Sequence, residues 1–434
     1  MIGGWRCVAA CSVNRERLGQ YALLLALFLL PWQLREIFTS VRVDGQMWEY
    51  GTGSLYATQL LVLLAVILRG GFRIDRARAF VGPVAIVVLA AIVSAATSPV
   101  PMSSLALVFQ VGLAAMLFLG LLDVRTDPTR AAAAFVLGLV PSALLGWAQV
   151  WWGETTAYSW LGLASHSFST LGDSVVETAE GLRTLRAYGP LPHPNILGGY
   201  LAAGLLTLAM LASRWRAQAK RTWLALPVIV LVAGLVATFS RGAWVAATLA
   251  FLAVVAGMLW IHRMAAHVAL PLVYAGLFAL ILTVFTFHSQ VFTRFAPGAR
   301  LEARSLSERS AAYREAPAVF LLRPILGVGP ALYTAALAEL RPGAPVYAYQ
   351  PVHNAFVLFL AEMGLLGTLA AVPFIRRLIV AVRAINVRSE RVFSLAGLVL
   401  LVTLAMFDHY LWSLWSGLSL TAVVAAFAVR GGKA

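Results

Sequence analysis

Polar residues that are able to carry out chemistry stand directly before three of the long apolar segments of this chain. They are the triplet His193-Pro194-Asn195, then Arg241, and then His353 followed by Asn354. A histidine exchanges a proton near neutral pH, and an arginine binds phosphate oxygens through two parallel hydrogen bonds. These residues therefore predict one site that combines proton transfer with the binding of an anion.

The composition indicates that the elements positioning these residues are membrane helices. Of the 434 residues, 61% are hydrophobic and only 12% are charged, whereas soluble domains carry roughly 25% charged residues. The apolar segments approach the ~20 residues that a helix needs to cross a bilayer, and they lack the alternation of barrel strands. We therefore predict an all-α integral membrane protein, a single polytopic domain over residues 1–434 with about twelve transmembrane helices. The predicted spans are 18–34, 54–68, 79–97, 102–122, 131–151, 195–213, 222–239, 243–261, 267–287, 355–374, 392–408 and 411–429.

The distribution of basic residues predicts the orientation of these spans. An even number of spans places both termini on one side, and 21 of the 33 lysines and arginines then fall on that side. Because inner segments are enriched in Lys and Arg, we expect the N- and C-termini inside. The net charge of +15 is then explained by arginines that contact anionic membrane lipids, without nucleic-acid binding. The three polar helix starts fall on the outer face.

Two outer loops are long enough to fold. Loop 152–194 contains two tryptophans and four acidic residues, and it is expected to form a lid or cleft. Loop 288–354 is rich in arginine, and its stretch 305–322 has the apolar spacing of an amphipathic helix. That helix is expected to end at Arg323-Pro324, before the turn Gly327-Val328-Gly329.

Helix dipoles add to the anion-binding character of the outer face. A helix that runs from outside to inside points its free N–H groups and its positive end outward, which suits a bound anion. The spans that begin at Asn195, after Arg241 and after Asn354 have this direction. If their starts converge, they form a cationic pocket suited to a phosphate or diphosphate.

Each of these residues also has an ordinary structural interpretation. Arg241 is equally consistent with a side chain that reaches lipid headgroups, and His353 with a structural hydrogen-bonding group. Asn195 and Asn354 are also typical helix caps. Glu362 lies nine positions further along the chain than His353, roughly 13 Å deeper in the span at 1.5 Å per residue. It is predicted to belong to a buried polar network or to be a functional group.

A second polar group, Asp408-His409-Tyr410, stands at the outer end of the eleventh span. Its aspartate and histidine resemble half of a catalytic triad, but the sequence offers no serine or cysteine partner for them. We therefore interpret the group as an anchor at the membrane interface.

The run from His353 to Gly367 resembles the signature of the O-antigen ligase and polymerase superfamily. In this signature, His-Asn is followed by an apolar helix that bears a glutamate and Gly-x-x-Gly. Three further stretches agree in order: Pro194-Asn195, the Ser-Arg-Gly of 240–242, and the loop pattern from Arg309 through Tyr313 and Ala316 to the glycine turn. The resemblance covers most of residues 180–375, and the N-terminal third agrees only in topology.

This resemblance implies transfer of a glycan from an undecaprenyl-diphosphate carrier to an acceptor hydroxyl. The reaction would invert the anomeric configuration and need no metal or other cofactor. It would take place on the periplasmic face of the bacterial inner membrane. His353 would accept the proton of the acceptor or orient its hydroxyl, and Arg241 and Arg309 would neutralise the leaving diphosphate. Further substrate contacts are expected from Arg186, Asn195, Arg314, Asn354 and Glu362.

The sequence leaves the exact activity open. A ligase would use the lipid A core as acceptor and a polymerase would use another lipid-linked glycan, and both share the motifs described above. A ligase that acts on a protein or on another cell-surface acceptor is a further alternative. Twelve spans are also typical of secondary transporters. Transporters place polar groups near the membrane midplane, whereas the span interiors here carry almost no charge besides Glu362. The placement of the polar residues therefore favours the enzyme.

Overall fold

The computed structural model describes residues 3–43, 46–73, 77–214, 223–261, 266–296 and 300–430. Several of the charges used for orientation lie outside the described residues, namely Arg76, Arg216, Lys220, Arg221, Arg263 and Lys433. The first nine helices are α1 Gly3–Leu29, α2 Ala57–Leu68, α3 Arg78–Ala96, α4 Pro101–Leu122, α5 Pro128–Trp152, α6 Pro194–Arg214, α7 Ala225–Ala237, α8 Arg241–Trp260 and α9 Ala266–Thr286. They are followed by α10 His288–Thr293, α11 Arg300–Leu322, α12 Tyr333–Leu340, α13 Ala355–Arg383, α14 Arg388–Phe407, α15 Tyr410–Ser413 and α16 Trp415–Val429.

The structure confirms the helical membrane class. A helix lies at each of the twelve predicted positions, and seven described helices are long and apolar enough to cross a membrane. Four further apolar helices are shorter, between 10 and 17 residues. The number of spans that cross the bilayer and their orientation stay predictions. The first helix ends earlier than predicted: α1 stops at Leu29 and not at residue 34, two residues before Pro31, which has no N–H to continue the helix.

A β-hairpin follows α1 and was not predicted. Strand β1 (Arg35–Val43) pairs antiparallel with β2 (Gln46–Tyr56), and two irregularities interrupt their register. The sequence does carry its signal, because Ile37, Thr39 and Val41 place β-branched side chains at every second position. Loop 152–194 adds two small sheets, β3 (Glu154–Thr155) with β4 (His166–Ser167) and β5 (Val175–Glu177) with β6 (Arg183–Leu185).

The amphipathic segment of the second long loop is helical, as predicted. It forms α11, which begins five residues before the predicted start at 305 and ends at Leu322. Its buried positions include Ala312, Ala316 and Val319, whereas Leu306 and Tyr313 are exposed. Helix α11 packs against α12 and α13, so the loop is folded onto the bundle.

Helix α13 is broken at Gly364, whose φ of 62° and ψ of −168° are not helical. The segment 324–329 fills the break. Its N–H groups at 328 and 329 donate to the carbonyls of Ala361 and Glu362 (3.1 and 3.0 Å), and its carbonyls at 324 and 325 accept the N–H groups that follow the kink, at 2.9 Å each. Irregular backbone within a membrane helix is tolerated where protein groups satisfy it in this way.

Replacing Gly364 by alanine should destabilise the protein. The backbone conformation is open to glycine almost alone, and an added Cβ would lie 2.4 Å from the carbonyl oxygen of Ile325. We expect a loss of about 1–3 kcal/mol in unfolding free energy, measured by thermal unfolding in detergent. The matched control is Gly112→Ala in α4, where nothing lies within 4 Å of the added atom. Equal melting temperatures for the two variants would contradict this account of the kink.

Candidate functional site

A chain of polar contacts joins four residues that are far apart in the sequence. Arg186 donates through Nη2 to Oδ1 of Asn195 at 2.7 Å. Asn195 then donates through Nδ2 to Oδ2 of Asp408, also at 2.7 Å. Oδ1 of Asp408 lies 3.6 Å from Nδ1 of His353. The structure therefore places His353 at the end of an arginine–asparagine–aspartate chain.

Helix boundaries position the members of this chain. Pro194 begins α6, so Asn195 lies in its first turn. The side chain of Asn354 caps α13 by accepting the N–H groups of Phe356 and Val357 at 3.0 and 3.1 Å, and His353 therefore stands immediately before that helix. Asp408 follows the last residue of α14, and its carbonyl accepts the N–H of Ala355 at 3.1 Å. The starts of α6 and α13 thus meet the end of α14.

His353 has one buried and one accessible side. Its Nδ1 is buried and makes no hydrogen bond within the described residues, because the 3.6 Å distance to Asp408 is too long for one. The side chain as a whole is 28% exposed, so the exposed part of the ring is not Nδ1. Catalytic hydrogen bonds are often long before substrate binds. The geometry is that of a histidine whose buried nitrogen faces a carboxylate and whose other side is partly exposed.

The interpretation of Asp408 and His409 as an interface anchor was wrong. Both residues are buried, with 7% and 4% of their surface exposed, and they lie at the centre of the site. The His409 ring lies 5.3 Å from that of His353, and its Nδ1 lies 2.8 Å from Oγ of Ser413. Its Nε2 is 3.4 Å from the hydroxyl of Tyr50 in the hairpin. No local sequence pattern indicated these contacts, because helix packing makes them.

The electrostatic surroundings give the buried groups different charges. Burial lowers the pKa of His409 to about 4. Burial alone would raise the pKa of Asp408, but its interactions with His353 and His409 outweigh that effect and hold it well below its usual range. At neutral pH the pair is therefore a carboxylate next to a neutral imidazole.

The lowered pKa of His409 predicts a loss of stability in acid. Because the unfolded chain protonates this histidine near pH 6.5 and the folded protein only near pH 4, stability should fall as the pH drops below 6.5. Between pH 6.5 and 5 this amounts to about 2 kcal/mol. Melting temperatures at pH 7.5 and 5 should therefore differ less in His409→Gln than in the unchanged protein. The exposed His288→Gln serves as control, and an equal acid loss in both variants would contradict the prediction.

His193 has a supporting role in this geometry. Its Nδ1 accepts the N–H of Asn195 at 3.1 Å, so Nε2 carries the proton that is shared with Oγ of Ser174 at 3.0 Å. A protonated Nε2 donates to the serine and cannot take its proton. The pair therefore does not form an activated nucleophile, and His193 orients the start of α6.

Three arginines gather around the tight turn between α7 and α8. Nε of Arg186 donates to the carbonyl of Thr238 at 2.8 Å, and Nε of Arg294 donates to that of Phe239 at 2.9 Å. Arg241 donates to the carbonyl of Arg294 at 3.1 Å. The turn is unusually sharp, since Phe239 has a φ of +48°. The start of α8 is thereby joined to the same site.

Only one acidic residue forms an ion pair with this arginine group within the described part of the chain. Glu302, in the first turn of α11, binds Nη2 of Arg241 at 3.0 Å and also binds Arg294. Glu302 is buried, with 3% of its surface exposed. Neither Glu302 nor Arg294 was predicted to belong to the site, because tertiary packing of α11 against the turn before α8 creates their contacts.

Arg309 adds positive charge next to this group. Its side chain is half-buried, and within the described residues it has neither a hydrogen bond nor an ion pair. Its charge contributes to lowering the pKa of Arg186, which reaches about 9 mainly because of burial and next because of Arg294. It also lowers the pKa of His409. With Arg186, Arg241 and Arg294 it completes the arginine cluster, in which four cations face one paired glutamate.

The other three predicted substrate contacts, Arg314, Asn354 and Glu362, lie outside the arginine cluster. Arg314, a predicted substrate contact, is exposed and bonds within the described residues only to Ser310 of its own helix at 3.3 Å, so no contact with the other site residues supports that prediction. Asn354 donates to the hydroxyl of Tyr313 at 3.1 Å, which ties α11 to the start of α13. Glu362 is 2% exposed.

Glu362 belongs to a buried polar network, the first of its two predicted roles. Its two carboxylate oxygens accept the indole N–H of Trp412 at 2.7 Å and the backbone N–H of Tyr333 at 3.2 Å. The network fastens the loop that follows α11 to α13. Its occupied oxygens favour a structural role over contact with substrate.

Ligand atoms of His353, Asp408 and His409 lie within 4.8 Å of one another, a spacing that a metal ion could bridge. Hydrogen bonds within the protein already occupy much of the lone-pair capacity of these ligand atoms. Asp408 accepts from Asn195 and from the N–H of His409, and Nδ1 of His409 faces Ser413. The donor set is therefore arranged as a hydrogen-bonded network around His353.

The middle part of the chain matches a known protein family. Residues 226–372 match the family described as O-antigen ligase. This match confirms the resemblance to the O-antigen ligase superfamily. No curated protein matches the chain. The matched O-antigen ligase segment contains Arg241, Arg294, Arg309 and His353, and it supports glycosyl transfer of the ligase or polymerase type. Asp408 lies outside it and completes the site from α14.

Proposed function

We propose that this protein transfers a glycan from an undecaprenyl-diphosphate carrier to an acceptor hydroxyl at the periplasmic face of the bacterial inner membrane. The acceptor that we propose is the lipid A core. The observation that carries the proposal is the buried contact chain from Arg186 to His353, which stands directly beside the arginine cluster. The contact chain places His353, which faces the carboxylate of Asp408, beside a strongly cationic surface. The family match supports this reaction type.

The arginine cluster is suited to the leaving diphosphate. Negative charge develops on the diphosphate as the bond to the anomeric carbon breaks, and fixed cations stabilise that charge. Arg309 has no described hydrogen bond or ion pair, so it is available to bind phosphate oxygens. Arg241 is 26% exposed and would keep its pair with Glu302 while it contacts the ligand. Arg186 is buried and contributes positive electrostatic potential to the site.

His353 is suited to act on the acceptor. A general base must be within reach of the hydroxyl proton, and its orientation must be held by a second group. Asp408 supplies that group at the buried Nδ1, which leaves Nε2 for the acceptor hydroxyl. Nε2 takes the proton, the hydroxyl oxygen attacks the anomeric carbon, and the carrier diphosphate leaves. A single displacement of this kind inverts the anomeric configuration.

A polymerase would use the same site with a lipid-linked glycan as acceptor. Purified protein should be given the undecaprenyl-diphosphate-linked glycan with and without core–lipid A. Glycan attached to the core indicates a ligase, and chain extension without the core indicates a polymerase.

A metal chelator should leave the rate of either reaction unchanged. If neither product forms and vesicles containing the protein accumulate a solute, the transporter alternative replaces the enzyme.

A further inference from the structure

The chain that leaves α5 exposes large apolar side chains that the proposed function does not use. Trp151 and Trp152 end α5 and are 70% and 71% exposed, and Trp160 is 79% exposed. Tyr158 and Leu161 are exposed as well. Single exposed apolar residues are ordinary, but a group of this size marks a surface that contacts a protein or a membrane. The course of the backbone decides between these two partners.

A ribbon formed by residues 153–171 starts at the end of α5. Strand β3 pairs with β4, and beyond them the backbone of Tyr158 pairs with that of Leu163. At the base of the ribbon the N–H of Phe168 donates to the carbonyl of Gly153 at 2.9 Å. These backbone hydrogen bonds make the ribbon an ordered element, so the side chains at its tip have a defined position.

The tip of the ribbon touches the chain that leaves α1. A Cβ added to Gly162 would overlap the peptide bond between Gln33 and Leu34, so the two backbones are in direct contact. Gln33 is itself buried, and α1 packs against α5. The ribbon therefore runs from the end of one helix of the bundle towards the end of its neighbour.

Chain geometry limits how far this contact lies from the bundle. Gly138 of α5 lies against the carbonyl group of Phe28, near the end of α1. Trp152 follows Gly138 by fourteen helical residues, which is about 21 Å at 1.5 Å per residue. The five residues from Phe28 to Gln33 span at most about 18 Å. The contact of Gly162 with Gln33 therefore lies no further out than the end of α5.

This level is the boundary of the bilayer. Helix α5 is one of the seven described helices that are long and apolar enough to cross a membrane, and it ends at Trp152. A ribbon whose tip lies no further out than that end runs along the membrane boundary. The chain next to its tip also exposes apolar side chains, namely Leu34, Ile37 and Phe38 at the start of the hairpin. Two parts of the chain that are distant in sequence therefore expose apolar groups at this boundary.

The charges of the first long loop are unevenly distributed. Between residues 153 and 171 the chain has a single Asp, Glu, Lys or Arg, which is Glu154. The following stretch 172–185 has four, namely Asp173, Glu177, Glu180 and Arg183. A nearly uncharged, aromatic surface suits the interfacial region of a bilayer, where Trp and Tyr place an apolar ring towards the acyl chains and a polar group towards the headgroups. The composition therefore favours lipid as the partner of the ribbon.

We propose that the ribbon and the two tryptophans before it insert into the boundary between the headgroups and the acyl chains of the phospholipid bilayer, in the leaflet where α5 ends. This inference does not rest on the proposed function. In the predicted orientation the leaflet is the outer one. Ser174, three residues after the ribbon, contacts His193 at 3.0 Å. The bilayer would thereby hold one edge of the candidate site.

Spin labels in phospholipid vesicles test this assignment. Cys7 and Cys11 are first replaced by alanine, so that one nitroxide is attached at Trp160→Cys, Tyr158→Cys or Glu180→Cys. The purified variants are reconstituted in vesicles of phosphatidylethanolamine and phosphatidylglycerol. Collision rates with oxygen, which concentrates in lipid, and with a water-soluble nickel chelate are then measured. The ratio of the oxygen rate to the nickel rate should be at least about threefold higher at positions 158 and 160 than at the exposed Glu180.

The control position belongs to the charged half of the same loop, so it reports surroundings that face water. Equal ratios at the three positions would overturn the proposal. A label at 158 or 160 that is shielded from both reagents would also overturn it, because protein and not lipid would then cover the ribbon. Melting temperatures check folding, and Tyr158→Cys keeps the test decisive if Trp160→Cys does not fold. The measurement uses no glycan substrate, so its failure leaves the proposed function untouched.

Discussion

Asp408→Asn should lower the turnover number for glycan transfer by about 10²–10⁴-fold and leave the donor KM nearly unchanged. The carboxylate accepts from Asn195 through one oxygen and faces Nδ1 of His353 with the other. An amide that still accepts from Asn195 turns its NH₂ group towards His353 and towards the backbone N–H of His409, which loses its acceptor. Nδ1 must then accept a hydrogen bond, so Nε2 carries the proton and cannot take one from the acceptor.

The chain offers a matched control for this change. Asp173 also binds a histidine, with its Oδ1 2.9 Å from Nδ1 of His166, but this pair belongs to the first long loop. Asp173→Asn should change turnover by less than about threefold. A similar loss of turnover in both variants would indicate that the Asp408 effect is structural and would remove the aspartate from the mechanism.

Arg309→Ala should reduce kcat/KM for the lipid-diphosphate donor by about 10–100-fold, the value of one or two hydrogen bonds to a charged group. Because Arg309 has no hydrogen bond or ion pair within the described residues, its removal should leave the melting temperature unchanged. Loss of activity without loss of stability would therefore point to substrate contact. The measurement is initial rate against donor concentration at saturating acceptor.

Arg314→Ala is the matched control for Arg309→Ala. Arg314 lies on the same helix α11, is exposed, and bonds only to Ser310 of that helix in the described structure. Its replacement should change donor kcat/KM by less than about threefold. Equal losses in the two variants would mean that α11 attracts the donor through its general charge and contains no specific phosphate ligand at Arg309.

Sequence patterns predicted the elements of this protein better than the contacts between them. Apolar length placed the membrane helices, and helix-start residues such as Asn195 and Asn354 were located because capping and dipole effects are local. The hairpin β1–β2 also has a local signal in its alternating β-branched residues, which was missed within a chain dominated by helix-length apolar runs.

The wrong interpretation of Asp408 has a different cause. Its partner Asn195 lies 213 positions away in the sequence, and only the packing of α14 against α6 brings the two together. The Arg294–Glu302 pair likewise depends on how α11 folds back to the turn before α8. Contacts of this kind arise from tertiary structure, so a single sequence can identify the polar residues but cannot predict which of them meet.

His353, as we propose, takes the proton of the acceptor hydroxyl while the glycan leaves its undecaprenyl-diphosphate carrier. The most direct test measures glycan transfer by the purified protein and by His353→Ala in liposomes, with undecaprenyl-diphosphate-linked glycan as donor and core–lipid A as acceptor. We predict that His353→Ala still binds the donor and that its transfer rate falls by at least about 100-fold. Transfer by His353→Ala at the rate of the unchanged protein would contradict the account.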